Sequence, residues 1–174
     1  MKKTFILIFA FSINLIYSKE IQVNLLELYK ELHANPELSY QEYETSKKLA
    51  SVLENIGYQV TRNVGGNGIV ALLENGDGNT VMFRADMDGL PVEEKTGASY
   101  ASKKRVKNLD GEEVFTMHAC GHDVHMTVLI GVAEYLYENK DAWQGKLLLV
   151  LEPAEEVSGG ARKKIKNGLF FKIS

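Results

Sequence analysis

An unbroken apolar run from Leu147 to Leu151 constrains the fold of this chain more than any other feature. Four leucines and a valine leave no polar face, which is typical of a central strand covered on both sides in an α/β sheet. We therefore predict a strand from Lys146 to Leu151. Glu155 and Glu156 follow its end, and ligands in α/β sheets bind beyond the carboxyl ends of strands. These carboxylates are predicted to lie in a functional crevice.

Periodicity and turn residues predict the other elements. Apolar residues at helical spacing predict helices at 22–33, 40–56, 123–138 and 160–167. Ser39 and Glu42 have the spacing of a capping box for the second helix, and Gly57 stops it. Glycine-rich turns separate three further predicted strands, which we expect to form a meander, at 58–62, 69–74 and 80–84.

The polar segment from Gly89 to Met117 leads into the richest cluster of metal-binding side chains in the sequence. A loop this long in a compact domain usually serves function. The eight residues from His118 to His125 hold three imidazoles, a thiol and a carboxylate. Zinc-class ions bind all three kinds of donor. We therefore predict a metal site at the start of the third helix, completed by ligands from elsewhere in the chain.

The position of these donors fits metal chemistry. A helix start and a bound ion both favour the thiolate of Cys120 over its thiol. Asp86 and Asp88 are two residues apart at a strand end, so they lie on the same face of an extended chain. Glu155 and Glu156 need not share a role, because one carboxylate can bind the ion while its neighbour accepts a proton from water.

Several of these side chains have alternative interpretations. His118 and His125 each qualify as a ligand, as a group that orients the metal site, or as a polar neighbour with its own partner. Cys120 also qualifies as a nucleophile activated by His122 or His125, although two residues' separation at a helix start favours shared chelation. We interpret His33 as a residue at a helix end rather than a ligand, and Glu37 as a solvated carboxylate.

Composition narrows the class of protein. The 174 residues are 45% hydrophobic and 25% charged, which is typical of a globular chain. The net charge is −3 and no long basic cluster is present, so nothing in the sequence recruits nucleic acid. The single cysteine, Cys120, cannot form an intramolecular disulfide, and binding to a metal would protect it from oxidation.

The first eighteen residues have the pattern of a signal peptide. Met1 to Lys3 is positively charged, and Thr4 to Tyr17 is almost entirely apolar. This apolar stretch is shorter than the about 20 residues that a membrane-spanning helix needs. We predict a signal peptide at 1–18 and export to the periplasm or the medium. Because Ile16 is a poor fit to the processing site, an uncleaved membrane tether is the alternative.

Three motifs resemble the M20 family of metallopeptidases, and within it the amidohydrolase branch that includes hippurate hydrolases and auxin-conjugate hydrolases. The resemblance runs from about Leu25 to about Phe170, and the motifs are Phe83 to Pro91, His118 to His125, and Leu149 to Glu156. It implies three metal ligands, which are Cys120, His122 and Glu156. It implies that Glu155 is the general base. It also implies that Asp88 orients the metal site, and we expect the same supporting role for Asp86 and His125.

The resemblance further implies a fold and an activity. The fold is an α/β three-layer sandwich like that of zinc exopeptidases, with a mostly parallel central sheet and helices on both faces. The activity is hydrolysis of the amide bond of N-acyl amino acids or short peptides by water activated between two divalent metal ions. Zinc is the expected metal, and the same donors accept manganese, cobalt or nickel.

The family pattern is longer than this sequence. Residues 19–174 correspond to the N-terminal part of the catalytic domain, without the lid and dimerisation domain and without two further histidine ligands. We therefore expect the chain alone to lack the homodimer of the family and to be inactive. The alternative function is that of a non-catalytic remnant, which binds metal weakly or not at all.

Overall fold

The computed structural model describes residues 23–159. The predicted signal segment at 1–18 and the predicted helix at 160–167 lie outside these residues. Between residues 23 and 159 the chain forms α1 Leu25–Ala34, α2 Tyr43–Ile56, β1 Gln59–Thr61, β2 Ile69–Asn75, β3 Thr80–Asp86, β4 Arg105–Lys107, β5 Glu113–Phe115, α3 His122–Glu138 and β6 Gly145–Glu152. In this part of the chain, no helix is both long and apolar enough to cross a membrane.

The three helices begin and end close to their predicted bounds. α2 stops at Gly57, as predicted, and the backbone of this residue is left-handed with φ of +118°. A side chain at this position would also collide with Tyr137 on α3, because an added Cβ would lie 2.6 Å from its ring. Glycine is therefore required both by the turn and by the packing of α2 on α3.

β6 lies at the centre of a four-stranded sheet with the order β1-β2-β6-β3. The predicted buried central strand is confirmed, since all residues from Leu147 to Leu151 are buried. The predicted meander is wrong, because β6 inserts between β2 and β3. β6 runs antiparallel to β2 and parallel to β3, and β1 is antiparallel to β2. In the described residues the sheet is thus mixed rather than mostly parallel.

The sequence explains this strand order. β6 is the most continuously apolar strand, so it takes the central position, where its side chains on both faces are buried. β3 pairs only with β6 in the described part of the chain, and its Met82 is 52% exposed. The connection from β3 to β6 runs through α3, as parallel strands require a crossover. The two strands therefore end side by side, with Asp86 opposite Glu152.

The helices cover one face of the sheet within residues 23–159. One buried cluster joins side chains of α1, α2 and α3 to alternate residues of the strands, including Ile69 and Leu149. The opposite face carries a smaller cluster around Val70 and Leu148, to which no described helix contributes. The three-layer arrangement with helices on both faces is therefore not present in this part, which forms two layers.

The start of α2 differs from the predicted capping box. Ser39 donates its hydroxyl to Asp88 instead of capping the helix, and Glu42 is the N-cap without a side-chain cap bond. Glu37 takes over the capping, because its carboxylate accepts the backbone N–H groups of Glu44 and Thr45. The expectation that Glu37 is solvated is wrong, since the residue is buried. Buried backbone donors need such acceptors.

The predicted loop from Gly89 to Met117 contains a small hairpin of β4 and β5. Its two ends meet, because Leu90 and Met117 exchange backbone hydrogen bonds of 2.9 and 3.0 Å. This closure brings the residues that follow Met117 next to the residues that precede Leu90. The histidine-rich cluster therefore lies against Asp88 at the end of β3.

Candidate metal centre

Two strand ends and one helix start converge on His122. The ring nitrogen Nε2 of His122 lies 3.8 Å from Glu155 Oε2 and 3.8 Å from Glu156 Oε1. His122 is the first residue of α3, and the two glutamates follow β6. These three residues offer ligand atoms that all lie within 4.8 Å of one another, which is a spacing that one metal ion can bridge.

His122 is oriented for metal binding by Asp88. Its Nδ1 lies 2.7 Å from the backbone carbonyl oxygen of Asp88, so Nδ1 carries the proton and Nε2 is the nitrogen that faces the glutamates. Burial alone would lower the pKa of His122, but the Asp88 side chain, its carbonyl and Asp86 raise it to about 9. A metal ion would have to displace the proton on Nε2.

Asp88 ties the segments of the site together. Its Oδ2 accepts hydrogen bonds from Ser39 Oγ at 2.6 Å and from the backbone N–H of Glu156 at 3.0 Å. Its Oδ1 lies 3.4 Å from Nδ1 of His122. Burial raises the pKa of Asp88, but these contacts outweigh burial and hold the pKa below its usual value. Asp88 is therefore a buried carboxylate that orients its neighbours and stays ionised.

Glu155 and Glu156 have different environments although they are adjacent. The Glu156 side chain is 17% exposed, and its Oε1 has no hydrogen-bond partner within the described residues. The Glu155 side chain is 40% exposed. The preceding residue, Ala154, has a left-handed backbone with φ of +53°, and this kink turns the chain after β6. The less exposed carboxylate, Glu156, suits a ligand, and the more exposed one, Glu155, suits contact with water.

Cys120 is exposed at the rim of the site and lies outside the three-residue groups. A hydrogen bond to Glu156, and then the charges of Glu156, Glu155 and Asp88, raise the pKa of its thiol. We predicted that the helix start and a bound ion together favour the thiolate of Cys120. Without an ion, the carboxylates outweigh the helix start and favour the thiol. Surrounding carboxylates keep the proton on sulfur unless a bound cation compensates for them.

A second three-residue group adjoins the first and shares His122. It consists of Asp86, His122 and His125, again with ligand atoms within 4.8 Å of one another. Asp86 Oδ2 lies 3.9 Å from His125 Nδ1, and the side chain of His125 is 53% exposed. Arg84 forms ion pairs with both Asp86 and Glu152, so its single positive charge partly compensates the two carboxylates at the strand ends.

His118 is buried below the site and does not belong to either group. Neither of its ring nitrogens forms a well-aligned hydrogen bond among residues 23–159. Burial is the main reason that the pKa of His118 falls to about 4, against an opposing effect of Asp123. The imidazole is therefore neutral near pH 7, and the backbone of Asp88 is a hydrogen-bonding neighbour that opposes the fall in its pKa.

Sequence reasoning missed a second carboxylate and imidazole cluster beside the site. His33 is buried, and its Nδ1 lies 2.6 Å from Asp123 while its Nε2 lies 3.0 Å from Glu94. Burial alone would lower the pKa of His33, but the two carboxylates raise it. No local pattern could reveal this cluster, because its members are separated by 90 and 61 residues.

The donors around His122 fit a divalent cation. A buried carboxylate oxygen without a hydrogen bond, a ring nitrogen aimed at it and a thiol nearby form the mixed donor set that zinc-class ions accept. A cavity of about 230 Å³ adjoins Glu156, and its apolar lining is Leu38, Leu90, Pro91, Leu109 and Val157. A larger cavity of about 650 Å³ lies between α1 and α2, away from these donors.

Known proteins share this combination of sequence and fold. The sequence profile of peptidase family M20/M25/M40 matches residues 82–173. The chain is 43% identical to thermostable carboxypeptidase 2 of Saccharolobus solfataricus over 87% of its length and 37% of the relative. It is 40% identical to hippurate hydrolase of Campylobacter jejuni, over 88% of this chain and 38% of that protein. The YxeP protein of Bacillus subtilis, described as a dinuclear metal-binding M20 peptidase, superimposes with a TM-score of 0.73 at 36% identity, over 83% of this chain and 38% of YxeP.

An α/β fold with carboxylate donors at its strand ends, and with imidazole and thiol donors at the start of a facing helix, defines a scaffold of the metallohydrolase class. The chain belongs to peptidase family M20/M25/M40, and the structure of residues 23–159 matches the M20 catalytic domain. It spans 37–38% of the length of the curated relatives described above.

Proposed function

We propose that this chain carries the metal-binding part of a hydrolase that cleaves the amide bond of N-acyl amino acids or short peptides. The main support is the convergence of His122 Nε2 with Glu155 and Glu156 at the strand ends. The hydrolase named for hippurate, an N-acyl amino acid, adds support from a relative that is 40% identical.

In this proposal Cys120, His122 and Glu156 hold the metal, and zinc is the preferred ion. Their sulfur, nitrogen and oxygen donors match its ligand preferences. A second ion is part of the proposal, because YxeP is described as dinuclear. When bound, such ions act as Lewis acids and lower the pKa of water towards about 7.

Glu155 is proposed to move the proton. Its side chain is partly exposed and lies within 3.8 Å of His122 Nε2, so it can reach both a ligand of the ion and bulk water. A carboxylate in this position accepts a proton from the attacking water and delivers it to the nitrogen of the leaving amine. Asp88 holds the backbone of the neighbouring Glu156, and therefore fixes the direction of both glutamates.

The cavity beside Glu156 is proposed to bind the acyl group of the substrate. Leu109 and Val157 in its lining are exposed by 71% and 56%, although both are apolar. Exposed apolar side chains next to polar catalytic groups are typical of ligand pockets. An apolar acyl group would remove this surface from water, while the amide carbonyl would lie towards Glu155 and Glu156.

The proposal is tested first by metal binding. Zinc is titrated into the metal-free 174-residue chain under calorimetry, in parallel with Cys120→Ala and with Ser102→Ala, which changes a residue outside the donor set. We expect the wild type and Ser102→Ala to bind zinc and Cys120→Ala to lose most of the affinity. Equal affinities in all three proteins would remove Cys120 from the ligands, and no binding in any of them would contradict the proposed centre.

Hydrolysis is tested in a chimera in which residues 23–159 replace the matching part of the Campylobacter jejuni hippurate hydrolase. The replacement is reasonable because the two chains align over 155 residues. We expect hydrolysis of hippurate that chelation stops and zinc or manganese restores. A chimera that folds and binds metal but does not hydrolyse hippurate would contradict the proposed substrate class. Activity that survives chelation but is lost when Cys120 is alkylated would favour the cysteine nucleophile.

We also propose that the protein is exported. The support is the positively charged start and the apolar stretch from Thr4 to Tyr17. Fusion of residues 1–22 to a reporter enzyme that is active only outside the cytoplasm tests this, with Phe9→Arg as the control that interrupts the apolar stretch. Equal reporter activity with and without the arginine would contradict export through this segment.

A further inference from the structure

His33 is enclosed by two buried carboxylates that come from opposite sides. The side chains of Asp123 and Glu94 are 2% and 0% exposed, and each binds a different nitrogen of the His33 ring. The ring also packs against Tyr29 and Tyr100, whose ring centroids lie 5.6 and 5.2 Å away. Because both nitrogens are occupied, His33 cannot act as a ligand or as a proton carrier in this arrangement.

Each carboxylate belongs to a segment that delivers a part of the metal centre. Asp123 is the second residue of α3 and follows His122 directly. It is itself fixed to the first turn of the helix, since its Oδ1 accepts the backbone N–H of Val124. A displacement of the Asp123 carboxylate therefore displaces the turn that carries His122 and His125.

Glu94 anchors the other segment. It lies six residues after Asp88, and besides His33 it accepts a hydrogen bond from the backbone N–H of Ser102 at 2.5 Å. Glu94 thus folds the first part of the loop that begins at Gly89 back onto α1. The backbone carbonyl of Asp88, which orients the His122 ring, belongs to the start of this loop.

We propose that His33 is a positioning residue that clamps the His122 segment to the Asp88 segment and thereby presets the geometry of the metal centre. This inference rests on the proposed metal-dependent function. The two segments meet through contacts of the His122 ring with Asp88. They also meet through the backbone hydrogen bonds between Leu90 and Met117, which lie before the helix start. His33 adds a side-chain connection on the helix itself, through Asp123, and this connection restrains the turn that carries His122.

If His33 acts as this clamp, its substitution should change the metal centre in ways that a general loss of packing would not. His33→Gln keeps a polar side chain but can no longer donate to both carboxylates. Leu32→Val is the matched control, because Leu32 is the preceding residue of α1 and its apolar side chain is buried in the core. Both variants are expected to lower the midpoint of urea unfolding, whereas only His33→Gln should alter metal binding.

Three measurements test the proposal. The first is zinc affinity, which should fall by about 10–100-fold in His33→Gln, as is usual when a group that supports a ligand is removed. The second is the absorption spectrum of the cobalt-loaded protein, whose bands report the geometry at the metal and should shift only in His33→Gln. The third uses metal-free protein: the ring N–H proton of His122, which is bonded to Asp88, should exchange with solvent faster in His33→Gln than in Leu32→Val.

A double-mutant cycle tests the path of the effect. If His33 acts through Asp123, then His33→Gln and Asp123→Asn should each lower the zinc affinity, and the double variant should lower it no further than the larger single effect. Additive losses would overturn the proposal, since they would mean that His33 acts independently of Asp123. Unchanged affinity, spectrum and exchange in His33→Gln would also overturn it.

Glu94→Gln keeps the test decisive if His33→Gln does not fold. This variant leaves the contact between His33 and Asp123 in place and weakens only the anchor of the loop. We expect a fall in zinc affinity and faster exchange of the His122 ring proton, and wild-type values for both would overturn the clamp. Failure of the wild type to bind metal would instead refute the proposed function. The exchange of the His122 ring proton is measured without metal, so it still tests the clamp in that case.

Discussion

The backbone N–H of Glu156 donates a hydrogen bond of 3.0 Å to Asp88 Oδ2, although 68 residues separate the two. The end of β3 and the turn after β6 are thereby joined at one buried carboxylate. The backbone carbonyl of Asp88 also orients His122. Asp88 therefore controls the relative position of two candidate ligands without being a member of either three-residue group.

Asp88→Asn should weaken metal binding while preserving the size of the side chain. The amide lacks the charge that raises the pKa of His122 and is a poorer acceptor for the Glu156 N–H. Loss of such a supporting group typically lowers metal affinity by about 10–100-fold. Zinc titration of Asp88→Asn and of the exposed control Asp77→Asn checks this. A similar affinity in the two variants would show that Asp88 has no influence on the centre.

Glu155→Gln and Glu156→Gln should have opposite consequences. Glu155→Gln removes a carboxylate that is proposed to carry a proton, so turnover in the chimera should fall by at least about a hundredfold while metal content stays near normal. Glu156→Gln replaces the proposed ligand, so the bound metal itself should be lost. Metal content by elemental analysis and turnover are measured for both. The reverse pattern would mean that the two glutamates exchange the roles of ligand and base.

Glu37→Gln should destabilise the fold through the N-terminus of α2. The carboxylate of Glu37 accepts two backbone N–H groups of the first turn, at 2.8 Å from Thr45 and 3.3 Å from Glu44. Removing the charge of such a cap should cost about 1 kcal/mol of the free energy of unfolding. Urea unfolding of Glu37→Gln is compared with Glu44→Gln, whose side chain is 79% exposed. Equal stabilities would argue that neighbouring groups satisfy these donors.

The sequence predicts the elements of this fold better than their arrangement. The run from Leu147 to Leu151 predicts a central strand because burial on both faces needs an apolar residue at every position. The partners of that strand depend on long-range pairing. The short turn after β2 favours a direct hairpin with β3, yet β6 lies between these two strands, where its apolar residues from Leu147 to Leu151 are all buried.

In the candidate site, too, local features can be predicted from the sequence and contacts between distant segments cannot. Four donors are recognisable from the sequence, because their side-chain chemistry and their positions at a helix start or after a strand can be predicted locally: Cys120, His122, Glu155 and Glu156. His33 and Glu37 are different, since their partners lie in other segments and only folding brings them together. In the sequence, His33 has the position of an ordinary residue at a helix end, and Glu37 has that of an ordinary residue in a turn. A buried polar residue is identified by its partners, which one sequence does not reveal.

His118 should make the metal-free protein sensitive to acid. Its pKa is about 4 in the folded protein and near 6.5 when it is unfolded, so between these values the unfolded chain binds the proton more readily. Stability should therefore be fully present above about pH 6.5 and decline as the pH falls towards 4. A difference of this size in pKa corresponds to a loss on the order of 3 kcal/mol.

His118→Leu removes the titrating group and places an apolar side chain of similar volume in the same buried position. It should abolish the part of the acid destabilisation that belongs to His118. His33 and His122 have raised pKa values, so their contributions decline with rising pH and have the opposite sign. The informative quantity is thus the difference between wild type and His118→Leu, obtained from urea unfolding between pH 5 and pH 7 with a chelator present. Parallel stability curves over this range would contradict a buried neutral imidazole at residue 118.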